Sequence, residues 1–304
     1  MNRFLASFGA VWIISWIFIL RDAGNSLPFA PPDRLRFLFG ELFTGAMVLV
    51  LIAMTRKRTP VDHRNDLGIR EPRAEAIGVF AYLLVVVAVG AHLGLHTHVA
   101  SVGLNPGTLH AWSLQTPASL LLWAGYFFAA GVVVPLLFFV LVRRYSLRSL
   151  LLSFPEPKKW IPYAAITAVL SLSAFVRPDF FRLPLRGHGL ALLLFSLGTF
   201  LPVMVLTQSL LAPRLAILAK SWVSGSVVAG LVYGIYHSGE FYFAWGTSTE
   251  AAVSLAWMMQ FAYFGVLKAV TTLRTGSAWI HIFNTHMPHL AEAPEVVRVL
   301  SQPH

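Results

Sequence analysis

Apolar runs of about 14 to 25 residues recur along the whole chain, and a helix needs roughly 20 such residues to cross the hydrocarbon of a bilayer. Each run is bounded by charged or Pro/Gly-rich stretches. In lipid every backbone N–H and C=O must find its partner inside the protein, which leaves helices and closed barrels. Long apolar runs without strict alternation select the helix. Of the 304 residues, 57% are apolar and 12% are charged, against roughly a quarter charged in soluble domains. The fold class that follows is all-α, a polytopic membrane protein. Without cysteine, no disulfide scaffold and no thiol nucleophile is open to it.

Reading each run between its flanking charges predicts spans near 4–20, 38–54, 76–95, 119–142, 161–176, 188–212, 223–243 and 251–273, with a shorter ninth segment near 277–290. Eight or nine transmembrane helices result, and the first is read as a span rather than a cleaved signal because Arg21-Asp22 closes it directly. The net charge of +10 sits beside these runs, so it is a topology signal and not a nucleic-acid footprint. With Arg3 inside, the same side receives Arg56, Lys57, Arg58, Arg64, Arg70, Arg73, Arg143, Arg144, Arg148, Lys158, Lys159, Arg214, Lys220, Lys268 and Arg274. That is sixteen of the 23 basic residues. A cytoplasmic N-terminus follows, in an integral membrane protein whose partners include membrane lipids. A bacterial inner membrane is expected from the lack of an organelle signal.

Polar groups inside spans are costly and by default face the bundle interior, where they mark a site. In the seventh span Ser226, Gly230, Tyr233, His237 and Glu240 recur at i, i+4, i+7, i+11 and i+14, one stripe of a helix. His237 and Glu240 share that face and can together hold a proton or a water. The ninth segment reads Trp279-Ile-His281-Ile-Phe-Asn284-Thr-His286-Met-Pro-His289. His281 and Asn284 lie on one face, whereas His286 is about 140° away from His281. The sixth span holds Thr199, Pro202, Thr207, Gln208 and Ser209 and is closed by Pro213 and Arg214. Glu41 is placed at the interface, and Gly45 and Ala46 at helix contacts. His92, His96, His98 and His110 read as polar residues of a span end and its outer loop.

Two of these places together resemble the CAAX-protease and bacteriocin-processing (CPBP, or Abi) family of intramembrane proteases. Tyr233-Gly-Ile-Tyr-His237 is similar to the family's F-x-x-x-H, on a span that follows a proline-bearing span and a short basic loop. Phe264-Gly265, then Leu273-Arg274-Thr275-Gly276-Ser277 and Trp279 with its His/Asn cluster, resemble the Gly-bearing span, the R-T-G-S-x-W turn and H-x-x-x-N. The resemblance implies two parts: N-terminal transmembrane helices over 1–187, about five spans, and a CPBP-like membrane core over 188–290. It departs at the family's E-E-x-x-x-R. There the sixth span reads Val-Leu-Thr207-Gln208-Ser209-Leu-Leu-Ala-Pro-Arg214, and no acid occurs between Asp179 and Glu240. Gln is not a base.

The resemblance implies a divergent intramembrane endopeptidase acting on membrane-tethered peptides or proteins. With the family's paired acids missing, Glu240, on the face it shares with His237, is the only nearby base; His237 and Asn284 with one of His281 or His286 complete the catalytic set, imidazole and amide steadying the oxyanion. Gln208, Tyr233 and Trp279 line the substrate cavity, and no cofactor or metal is required. The alternative is an inactive pseudoprotease that binds a membrane partner or peptide in an immunity or assembly role. A His₂Glu zinc site has only a weak signal, with no H-E-x-x-H, and a proton-coupled transporter lacks inverted repeats.

Overall fold

The computed structural model describes residues 3–21, 34–54, 67–95, 116–153, 182–239, 243–280 and 293–301, and all regular secondary structure among them is helical. The helices are α1 (Arg3–Arg21), α2 (Arg34–Met54), α3 (Pro72–His92), α4 (Pro117–Val142), α5 (Leu185–Leu218), α6 (Trp222–Tyr236), α7 (Ser248–Thr275) and α8 (Ala293–Leu300). Five of these, α1, α3, α4, α5 and α7, are long and apolar enough to cross a membrane. Shorter apolar stretches occur at Leu38–Met54 of α2 and in α6. Large apolar side chains such as Ile13, Phe18, Phe39, Leu122 and Leu193 stand exposed on these helices, as expected where the solvent is lipid. The predicted span 161–176 and all but the first residues of the segment at 277–290 lie outside the described residues.

Helix ends follow local chemistry. Thr116 caps α4 in a reciprocal box with Ser119, and Thr247 does the same for α7 with Glu250, each satisfying two orphan N–H groups. Ser221 caps α6 through the Ser224 N–H. The Arg274-Thr275-Gly276-Ser277 turn is the C-terminal stop of α7: Gly276 has φ 70°, which glycine adopts without strain.

Prolines shape α4 and α5. Around Pro135 the helix runs in wider π turns, with Val134 N–H bonded to Ala129 O, five residues back. In that register Pro135, which lacks an N–H, would leave the Ala130 carbonyl bare. The Tyr82 hydroxyl of α3 donates to it at 2.7 Å. In α5 a π stretch, Met204–Leu211, runs directly into Pro213. The helix therefore continues through Pro213 and Arg214 to Leu218, past the end predicted at 212. A proline at such a register change gives up no regular bond.

The α6–α7 pair forms the most extensive helix contact, and α1, α2 and α5 pack against it. Glycines set its closeness. A Cβ on Gly230 would lie 2.6 Å from the Ala262 carbonyl, one on Gly234 2.7 Å from that of Met258, and one on Gly265 2.5 Å from Tyr233 Cβ. Without a hydrophobic drive between helices in lipid, such close backbone packing supplies the attraction. Gly45 of α2 meets the Tyr263 hydroxyl in the same way, in accord with its reading as a helix contact.

Candidate functional site

The stripe predicted along the seventh span is present from Ser226 through Gly230 and Tyr233 to His237, and all four are buried or nearly so. The helix itself ends at Tyr236. His237 opens a single 3₁₀ turn, His237–Gly239, so the stripe does not continue as α-helix to Glu240. His237 lies flat on Phe261 of α7, ring centroids 4.1 Å apart, and edge-on to Tyr233 at 4.7 Å. Next along α7, Lys268 donates from Nζ to the Tyr233 hydroxyl at 2.5 Å and stands 4.2 Å from its ring centroid. Gly265, one turn before Lys268, allows the approach to Tyr233.

Lys268 corrects the topology reading. It is not a loop cation but a side chain 2% exposed inside α7, held by a phenol oxygen and a π face that offset part of its desolvation. Sequence reading missed it because one lysine does not interrupt a run of that hydropathy. The signal was available: an ionisable group seven residues inside the end of a spanning helix is by default functional.

Gln208 lies on α5, whose Val203 and Leu206 pack with Tyr233 and Tyr236. Its Nε2 donates to Thr207 Oγ1 at 3.0 Å, and Thr207 donates to the Val203 carbonyl at 2.7 Å. Ser209 donates to the Leu150 carbonyl. The Oε1 of Gln208 is buried without a hydrogen-bond partner among the described residues, an acceptor poised for a donor. Trp279 stands apart from this group. Its indole N–H is taken by the Leu152 carbonyl at 2.8 Å, and Ala278 N–H by Leu151 O at 2.9 Å, which ties the end of α7 to the 150–152 turn. Glu240, His281, Asn284 and His286 lie outside the described residues, as do His96, His98 and His110.

A second polar centre was not predicted. Glu75, in the first turn of α3, is buried. Its Oε2 accepts from Arg214 Nε at 2.8 Å, and its Oε1 from Arg143 Nη2 at 2.8 Å and from the Tyr145 hydroxyl at 2.8 Å. Arg143 also reaches Glu71 at 3.1 Å, and Arg70 N–H donates to the Tyr145 oxygen at 3.0 Å. Arg214, fully buried, lies over the Phe139 ring at 4.6 Å and donates from Nη1 to the Leu210 carbonyl at 2.6 Å. Arg214 is thus no loop residue. A buried cation is tolerable here because its partner is present and hydrogen-bonded.

Glu41 likewise does not face outward. It is fully buried and accepts the indole N–H groups of Trp12 at 3.2 Å and Trp16 at 2.9 Å. Both indoles donate to Oε2, replacing part of the water the carboxylate loses and joining α1 to α2, while Oε1 is buried without a partner among the described residues. No protein-family model, curated protein or solved structure matches the chain.

Proposed function

We propose that the chain is a CPBP-like membrane protein that binds a membrane-tethered peptide or protein between α5, α6 and α7 and does not cleave it. The carrying observation is what the 207–214 segment does. It stands where the family has its paired acids, yet its hydroxyls are bonded inside the fold and its arginine is neutralised by Glu75 of α3. A segment so engaged is a strut whose Gln208 Oε1 is, among the described residues, an open acceptor. Gln208 can take a ligand's amide proton, while the Lys268 ammonium and the Tyr233 phenol supply donors suited to a carboxylate.

In this reading eight or nine helices span a bacterial inner membrane with the N-terminus inside. Removing the buried Arg214 and Lys268 from the loop count leaves fourteen basic residues on the inner side and seven on the outer, so the positive-inside asymmetry persists. The competing reading is hydrolysis with Glu240 as base to a water held by His237.

Binding is tested with tethered peptides bearing a free C-terminal carboxylate, titrated against protein in nanodiscs. Wild type is expected to bind them, and Gln208→Leu and Lys268→Met to weaken binding roughly tenfold each, the scale of one buried hydrogen bond to a charged or unpaired partner. Affinities unchanged in both variants would contradict the assignment of these side chains.

A further inference from the structure

Between α3 and α4, with Leu206 and Leu210 of α5 behind, lies a groove of about 410 Å³. Its walls are almost wholly apolar, and its charged residues, Glu71, Glu75 and Arg143, belong to one end. That end lies where α3 begins and α4 stops, the level of a membrane–water interface for two spanning helices. From Glu71 to Tyr82 the groove follows α3 for eleven residues, about 16 Å at a rise of about 1.5 Å per residue. Half of a hydrocarbon core of about 30 Å is nearly the same length. At the inner end the Tyr82 hydroxyl is bonded to Ala130 O, so only its ring faces the space as an apolar stop. A slot one leaflet deep, apolar along its length and charged at the surface end, has the dimensions of a lipid chain.

Charge at the mouth selects the headgroup. Glu75 is neutralised from inside by Arg214. Around it Arg70, Arg73, Arg144 and Arg148 are exposed and Arg143 is a quarter exposed, and among the described residues of these two segments Glu71 is the one exposed acid. The Arg70–Tyr145–Glu75 bonds hold the two arginine-bearing segments together. Arg143 commits Nε and Nη2 to Glu71 and Glu75, which fixes its guanidinium and leaves Nη1 as a donor. We infer that this groove is a binding site for one phospholipid with an anionic headgroup, its phosphate on Arg143 and one acyl chain lying along Gly78 toward Tyr82. This site is separate from the peptide-binding cluster at His237 and does not depend on that reading.

The test uses full-length protein reconstituted with equal phosphatidylglycerol and phosphatidylcholine, extracted gently and weighed by native mass spectrometry. Wild type is expected to retain one phosphatidylglycerol with about tenfold preference or more, built from roughly fivefold per arginine at the surface. Gly78→Leu fills the groove; no atom lies within 4 Å of a Cβ there, so the helix accepts the side chain and the fold is kept. Its retained phosphatidylglycerol should fall to the phosphatidylcholine level. Arg73→Gln, at an exposed position, should cut the preference by up to roughly fivefold while leaving chain occupancy intact. Equal retention of both lipids by wild type, or undiminished phosphatidylglycerol on Gly78→Leu, would overturn the inference.

Discussion

Replacing Glu75 by leucine should lower the unfolding free energy by about 3–5 kcal/mol, the cost of leaving a buried charge uncompensated. The charge is that of Arg214, which is fully buried and among the described residues would keep the Leu210 carbonyl as its hydrogen-bond acceptor. Arg143→Met should cost far less, about 1 kcal/mol or under, because its side chain is 25% exposed and water can stand in for it. The double variant Glu75→Leu, Arg214→Met should recover most of the loss, since an apolar pair of similar size removes the desolvation along with the attraction. Unfolding of wild type, Glu75→Leu, Arg143→Met and the double variant in the same micelles measures these differences. A Glu75→Leu protein within about 1 kcal/mol of wild type would mean that the cluster does not hold α3, α4 and α5 together.

Gly230→Leu should separate α6 from α7. The first atom of any side chain at 230 meets Val266 Cγ2 at 2.4 Å, Ala262 O at 2.6 Å and Val266 N at 2.7 Å, and two of these are backbone that cannot turn aside. Even Gly230→Ala should lose stability, since overpacking of about 1–3 kcal/mol exceeds the gain of up to about 1 kcal/mol from helix propensity. The functional effect should be larger than the stability effect. Moving α7 outward draws Lys268 from the Tyr233 hydroxyl and Phe261 from the His237 ring, so peptide binding disappears while the protein still inserts. Gly125→Ala is the control, because nothing lies within 4 Å of its Cβ. Wild-type peptide affinity in Gly230→Leu would remove the α6–α7 contact from the account of the site.

Helices were legible from the run lengths because lipid leaves the backbone few alternatives, and the turn at Gly276 was legible from its residues. Charges placed by tertiary pairing were not. Arg214, Lys268 and Glu41 were read as edge residues because a charge beside an apolar run ordinarily meets water there. Each is instead buried with a partner from another helix: Glu75, Tyr233 and the two indoles of α1. A trace of the first pairing was present in the sequence, since the span ends bearing Glu75, Arg143 and Arg214 fall on one side in the predicted topology. Of the candidate site, Tyr233 and His237 are brought together and Gln208 stands on the neighbouring helix, as their positions on successive spans suggested. Trp279 instead serves the 150–152 turn, a contact with no local signature. Lys268 could not be paired with Tyr233 from sequence because the approach at Gly265 is what makes them neighbours.

The central claim, binding without cleavage, is tested most directly by incubating the purified protein in liposomes with a library of membrane-tethered peptides and resolving the products by mass. His237→Ala and Glu240→Gln run alongside, with an intramembrane protease as positive control. Peptides should be retained intact by the wild-type protein, with no fragment above the level of empty liposomes. Fragments produced by wild type and lost in both variants would contradict it and establish a hydrolase with Glu240 as its base.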